Sequence, residues 1–256
     1  MKRIFAGLIV TAGVVFGQGG FDVVSIKPSD PLSSDVRIAH SVSGPFEAIG
    51  ITLSGLIAQA YDIRPFQLVG ASGWMETDRY EIHTKDETPG PSEAELIRMP
   101  KEERDVYRAR FLAKMRVLLA DRFQLRAHRE TKEMPVYFLT VAKGGSKLQT
   151  LPDNGKPGGN LTARRNGEGK SEVIGEKLPI VLLTRFLSGQ VGRTIIDQTG
   201  LSGKYDLTLT YAPEMGDLSG PSLFTALQEQ LGLKLESGKG PVDVVVVDSA
   251  ERPSEN

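Results

Sequence analysis

The feature that most constrains this chain is a helix-to-strand pattern that occurs twice. Leu119-x3-Phe123-x-Leu125-x-Ala127 has the spacing of Leu227-x3-Leu231-x-Leu233-x-Leu235. Apolar residues four apart share a helix face, and alternate residues share a strand face. Each copy therefore reads as the end of a helix entering a strand, with the same core positions filled. Each copy then restarts at Pro-Val, in Pro135-Val136 and Pro241-Val242, and upstream Arg79-Tyr80-Glu81-Ile82 answers Lys204-Tyr205-Asp206-Leu207. Helix-then-strand order is common by chance, but agreement of spacing at successive places favours an internal duplication.

A unit running strand, helix, strand, helix, strand, strand hides its apolar faces by laying helices on one side of a small sheet. The expected fold class is α+β, as two tandem related units, each with helices packed on a mixed, mainly antiparallel sheet. The first unit is expected over residues 21–148 and the second over 173–256. Residues 149–172, rich in Gly, Lys, Arg, Asn and Asp, read as a flexible connector, with a weak strand at Leu161 to Arg164. Thr52 is a helix N-cap ahead of Leu53, Leu56, Ile57 and Ala60, and Pro100 interrupts a helical stretch from Glu93 to Asp121. Phe123–His128 with Val136–Ala142, and Leu233–Glu236 with Val242–Asp248, read as strand pairs, the first a hairpin around a polar turn. The run Val242-Asp-Val-Val-Val-Val247 suits a strand buried on both faces, covered by another part of the chain or by a partner.

The N-terminus carries an export pattern. Lys2 and Arg3 precede an apolar run from Ile4 to Phe16 that contains Gly7 and Gly13 and ends near small residues. This pattern reads as a signal peptide over residues 1–18, too short to span a bilayer; a buried N-terminal helix is the alternative, which the glycines make a poor one, and no later stretch is apolar enough to span a bilayer. Its removal takes two positive charges off a formal net charge of −1. A slightly acidic chain is a poor general nucleic-acid binder. The sequence contains 0 cysteines, which excludes disulfides, thiolate catalysis and Cys-ligated metals.

Catalytic patterns are scarce. Of the histidines His40, His83 and His128, no two sit at helical ligand spacing, and there is no His-Glu-x-x-His. His83 and His128 near strand ends, with Glu81 or Glu130, could hold a metal; solvated strand histidines are the ordinary alternative. Gly70-Ala-Ser72-Gly73 is a turn rather than a nucleophile elbow, and no phosphate-cradling or dinucleotide loop is present. Trp74 reads either as an aromatic anchor for a partner or as a plug at the edge of its own core. Arg122, Arg126 and Arg129 could form an anion patch, although alternation along a strand sends Arg129 to the other side. No cofactor is expected. The possible interaction residues are Trp74, Arg122, Arg126, His83 and His128.

Several segments together resemble one family. They are Phe21-Asp-Val-Val-Ser-Ile-Lys-Pro28, Leu118-Leu-Ala-Asp-Arg-Phe123, His128-Arg-Glu-Thr-Lys-Glu-Met-Pro-Val-Tyr137, Ala142-Lys-Gly-Gly145 and Asp197-Gln-Thr-Gly-Leu-Ser-Gly-Lys-Tyr-Asp206. The segment from Gly220 to Leu235 and Glu251-Arg-Pro-Ser254 fit as well. The chain resembles a soil-associated family of exported proteins of unknown function, expanded in acidobacteria. That resemblance implies export and no established activity. Some relatives resemble this module fused to membrane metallopeptidases of the antibiotic-sensor type; this chain lacks the peptidase motif, which implies the sensor-like part alone. A weaker likeness to the short N-terminal domains of secretins and TonB-dependent receptors implies protein–protein contact in the envelope. The leading expectation is an exported, non-catalytic binding or interaction module with an envelope or extracellular protein as partner. The alternatives are a hydrolase whose site assembles only in three dimensions, and a small-ligand sensor.

Overall fold

The computed structural model describes residues 19–30, 36–40, 45–86, 90–150, 159–212 and 220–253, so the expected signal segment 1–18 lies outside the described residues. In chain order the elements are β1 (Val23–Pro28), β2 (Arg37–His40), β3 (Phe46–Thr52), α1 (Leu53–Ala60), β4 (Leu68–Val69), α2 (Trp74–Thr77), β5 (Arg79–Lys85), α3 (Glu93–Arg98) and α4 (Lys101–Phe123). There follow β6 (Arg126–Val141), β7 (Gln149–Thr150), β8 (Asn160–Arg165), β9 (Ser171–Pro179), α5 (Ile180–Val191), β10 (Ile195–Asp197), β11 (Lys204–Tyr211), α6 (Leu223–Ala226) and β12 (Leu233–Ser249). A π-helical turn, Leu227–Leu231, continues α6.

The helix starts follow from local chemistry. Thr52 is extended, and its hydroxyl accepts the Gly55 amide at 3.2 Å, which begins α1 where the apolar spacing predicts. Ser92 and Glu95 form a reciprocal capping box at α3. Met99 is extended ahead of Pro100, as the proline ring requires, and this separates α3 from α4.

The chain forms two compact units, one from the residues up to His128 together with those from Val245 on, the other from Arg129–Val244. In the first unit, β1, β5, β3 and β2 form an antiparallel sheet in that order, and the end of β12 pairs in parallel with β4, Val245 opposite Leu68. Its core joins Ile26, Phe46, Leu56, Ile82, Met115 and Phe123, with the Phe46 and Phe111 rings 6.0 Å apart and Tyr80 edge-on to Phe123 at 5.3 Å. In the second unit, β7, β11, β9 and β8 form a four-stranded sheet in that order, and β6 pairs in parallel with β10, Tyr137 opposite Ile195. Its core joins Leu139, Val173, Leu183, Leu187, Leu209, Leu227 and Leu233. The sheets share one connectivity: an outer strand, a hairpin, a helix, a short strand in a parallel pair, then a return strand between the outer strand and the hairpin.

The observed α+β architecture, with mainly antiparallel sheets, is the expected class. The details differ in three places. First, the expected hairpin at 123–142 is one 16-residue strand, β6, and the paired strands at 233–248 are one 17-residue strand, β12. The polar stretch taken for a turn is strand with a solvated face, where the Thr131 hydroxyl donates to Asp243 at 2.7 Å. The glycines of Ser237-Gly-Lys-Gly240 make room for packing: a Cβ on Gly238 would lie 2.6 Å from the Phe138 ring, and one on Gly240 2.9 Å from Ile196.

Second, the segment expected as a flexible connector contains β7, β8 and the start of β9, while 151–158 lie outside the described residues. Its polar composition belongs to the outer face of a hairpin. Arg164 pairs with Glu172 across the strands at 2.7 Å, and the Asn166 side chain accepts the Glu168 and Lys170 amides in the turn. Third, the unit boundaries fall inside β6 and β12 rather than in a linker, so the last strand of the chain helps complete the first unit. Where the run Val244–Val247 is concerned, Val244 and Val245 are fully buried although adjacent residues point to opposite faces, as expected of a doubly covered strand.

Candidate functional site

The residues singled out from sequence do not gather into one place. Trp74 opens α2 and is half-buried against the first unit's core. Its ring lies under the Arg252 guanidinium at 5.0 Å, and Arg252 is itself held by Asp78 at 2.9 Å. Arg122 sits in the last turn of α4, and its guanidinium donates to the Val24 carbonyl at 3.0 Å. Arg126 is exposed on β6. Strand alternation therefore cannot relate the two arginines, because Arg122 is helical and Gln124, in the left-handed region, turns the chain between them.

His83 is exposed on the outer face of β5, with Glu47 on the neighbouring strand 3.8 Å away. His128 is exposed on β6, 3.0 Å from Asp248. The two histidines lie on strands of different sheets. No group of three or more His, Cys, Asp or Glu suited to a metal occurs among the described residues.

One concavity among the described residues lies wholly in the second unit, at a point the sequence reading missed. It is a cleft of about 420 Å³ at the ends of β8, β9, α5 and β11 and the start of α6. Capping decides its mouth. The Ser222 hydroxyl accepts the Thr225 amide at 3.2 Å and starts α6, so that Leu223 and Phe224 lie in its first turn. Phe224 remains 40% exposed, although its ring meets Tyr137 edge-on at 5.4 Å, and Arg193 covers the Tyr137 ring at 5.2 Å. Across the cleft, the Tyr211 hydroxyl donates to the Gln190 amide oxygen at 3.0 Å. Burial pushes the Tyr211 phenol above its ordinary pKa, and a hydrogen bond with the Ser171 side chain partly offsets this. Arg165 supplies a guanidinium at the rim, where one N–H donates to the Gly169 carbonyl at 3.2 Å.

Chemically, the cleft offers a cation, an amide and three hydroxyls beside an apolar wall of Val191, Leu223 and Phe224. Among the described residues that line it there is no imidazole and no carboxylate. That is the equipment to hold an amphipathic molecule, and its size is that of an ordinary small-molecule site. The one sequence signal for it was Phe224, a large aromatic set off the Leu223, Leu227, Leu231 stripe and therefore not needed by the core.

Fold and cleft together define an α+β protein with a ligand-sized concavity in one of its two units. The chain belongs to a protein family of unknown function, DUF3738, whose model matches residues 54–250. No curated protein matches the chain, and no solved structure does. No helix among the described residues is long and apolar enough to cross a membrane.

Proposed function

We propose that this chain is an exported, non-catalytic binding module that receives its ligand in the cleft of the second unit. The observation that carries the reading is the lining of that cleft: hydrogen-bonding groups from several elements line it together with Val191, Leu223 and Phe224, and the described lining holds no group able to act as a general base near neutral pH. Export rests on Lys2 and Arg3 ahead of the apolar run to Phe16, and the lack of cysteine accords with a fold stabilised by its cores alone. The ligand is then met in the envelope or outside the cell.

The test is a thermal-shift screen of the full chain against small amphipathic acids, amides and peptides, run beside Leu223→Lys, which places a charge on the apolar wall. Compounds that raise the melting temperature of the unaltered chain and not of the variant support the reading. Compounds that stabilise both equally bind elsewhere and overturn it. Export is checked separately, by the mass of the chain recovered from the periplasm or medium; an intact N-terminus in the cytoplasm overturns that part.

A further inference from the structure

In the first unit the chain fills the end of β5 itself. Asp86, directly after the strand, is paired with Lys114 of α4 at 2.7 Å, with the carboxylate side chain only 6% exposed. The Lys114 ammonium also lies 5.6 Å from the centre of the Phe21 ring, and Phe21 meets Phe111 edge-on at 6.2 Å. The filling is therefore a carboxylate and an aromatic ring, both beside one cation.

The second unit has the same strand order, and its corresponding return strand is β11. The end of β11, at Tyr211 and Ala212, opens onto the cleft. A cation is present there in Arg165, and an apolar wall in Leu223 and Phe224. The neighbouring basic residues already hold carboxylates, Arg164 with Glu172 at 2.7 Å and Lys170 with Glu168 at 2.8 Å. Arg165 has a carbonyl for a partner instead, and no carboxylate lies within ion-pair distance of it among the described residues.

Building on the binding reading above, we infer that the ligand of this cleft is a small aromatic carboxylate, its acid group on Arg165 and its ring on Leu223 and Phe224. The guanidinium fork suits a carboxylate through two parallel N–H donors. The Gln190 amide and the Ser171 and Ser222 hydroxyls orient the polar end, and the partly open Phe224 face receives the ring in an edge-on or offset arrangement.

The probes are 4-phenylbutyrate and its uncharged primary amide, titrated separately into the full chain. The readouts are the NMR signals of the Gln190 side-chain amide and the Leu223 backbone amide. The acid is expected to move both signals with about tenfold tighter binding than the amide, the size of one partly exposed charge-assisted contact. Arg165→Gln, a change at an exposed side chain, should abolish that preference. Equal binding of acid and amide at these signals overturns the carboxylate assignment and leaves the cleft as a binding site. Failure of both probes to move either signal overturns the aromatic-carboxylate class, and the library screen then decides the broader reading by itself.

Discussion

Gly192 and Gly232 offer a matched test of how closely the second unit is packed. Both follow a helical segment in nearly one conformation, φ 60° and ψ 28° at Gly192, φ 66° and ψ 27° at Gly232. Only their surroundings differ. A Cβ on Gly192 would meet nothing within 4 Å, whereas one on Gly232 would overlap the Gly145 carbonyl oxygen and lie 3.0 Å from the Lys147 amide. Substitution by alanine imposes the left-handed backbone cost at both sites, about 1–2 kcal/mol. At Gly232 the 142–147 segment must also move, and with it two hydrogen bonds, Ala142 N–H to the Gly232 carbonyl and Lys147 N–H to the Leu231 carbonyl, each 2.9 Å. At about 1 kcal/mol each plus the overlap, Gly232→Ala should cost about 3–5 kcal/mol. Hydrogen exchange at core amides of β11 in the full chain measures the opening free energy of that unit directly. If the two substitutions agree within about 0.5 kcal/mol, the close approach is not what requires glycine at 232, and the argument fails.

The Gln230 side chain works as a short stretch of missing strand: its amide oxygen accepts the Thr210 N–H at 2.9 Å and its amide nitrogen donates to the Thr210 carbonyl at 2.7 Å. Gln230→Ala should cost about 1–2 kcal/mol and expose the Thr210 amide to exchange while Leu209 stays protected; an unchanged Thr210 rate refutes this. In the first unit, Lys114→Met leaves the Asp86 carboxylate enclosed without its cation and should cost about 3 kcal/mol, against about 1 for Asp86→Asn. Trp74 fluorescence in urea reads that ranking, and the reverse order would contradict it. The raised pKa of buried Tyr211 makes the neutral phenol the form that folding favours. Its contribution is complete below the unfolded phenol's pKa of about 10 and is lost as pH rises through the higher folded value. Tyr211→Phe should therefore flatten the fall in stability above about pH 10, measured by urea midpoints across that range; an equally steep fall shows that other groups govern it.

Periodicity and end signals carried much of this protein. Thr52 and the Leu53, Leu56, Ile57 spacing placed α1, Pro100 separated α3 from α4, and the alternating residues of 79–83 and 204–211 placed β5 and β11, because all of these depend on neighbours within a turn or a strand pair. The α+β class followed from the order of those elements. Tertiary structure alone decided that Ser237-Gly-Lys-Gly240 is strand rather than turn, since the glycines answer to Phe138 and Ile196, residues too distant in the chain for any local pattern to show.

The membership of β6 and β12 was likewise invisible in the sequence. Where a long strand passes from one unit to the other depends on which core its side chains enter, and the units divide at 128/129 and 244/245, inside those strands. The cleft was hidden for the same reason. Arg165, Gln190, Tyr211 and Leu223 come from separate elements, and their convergence is a property of how the second unit's sheet and helices pack. What the sequence by itself determined was elements such as α1, α4, β5 and β11, because those rest on local periodicity and capping. What only the tertiary structure decided was which elements meet, because that rests on contacts between residues far apart in the chain.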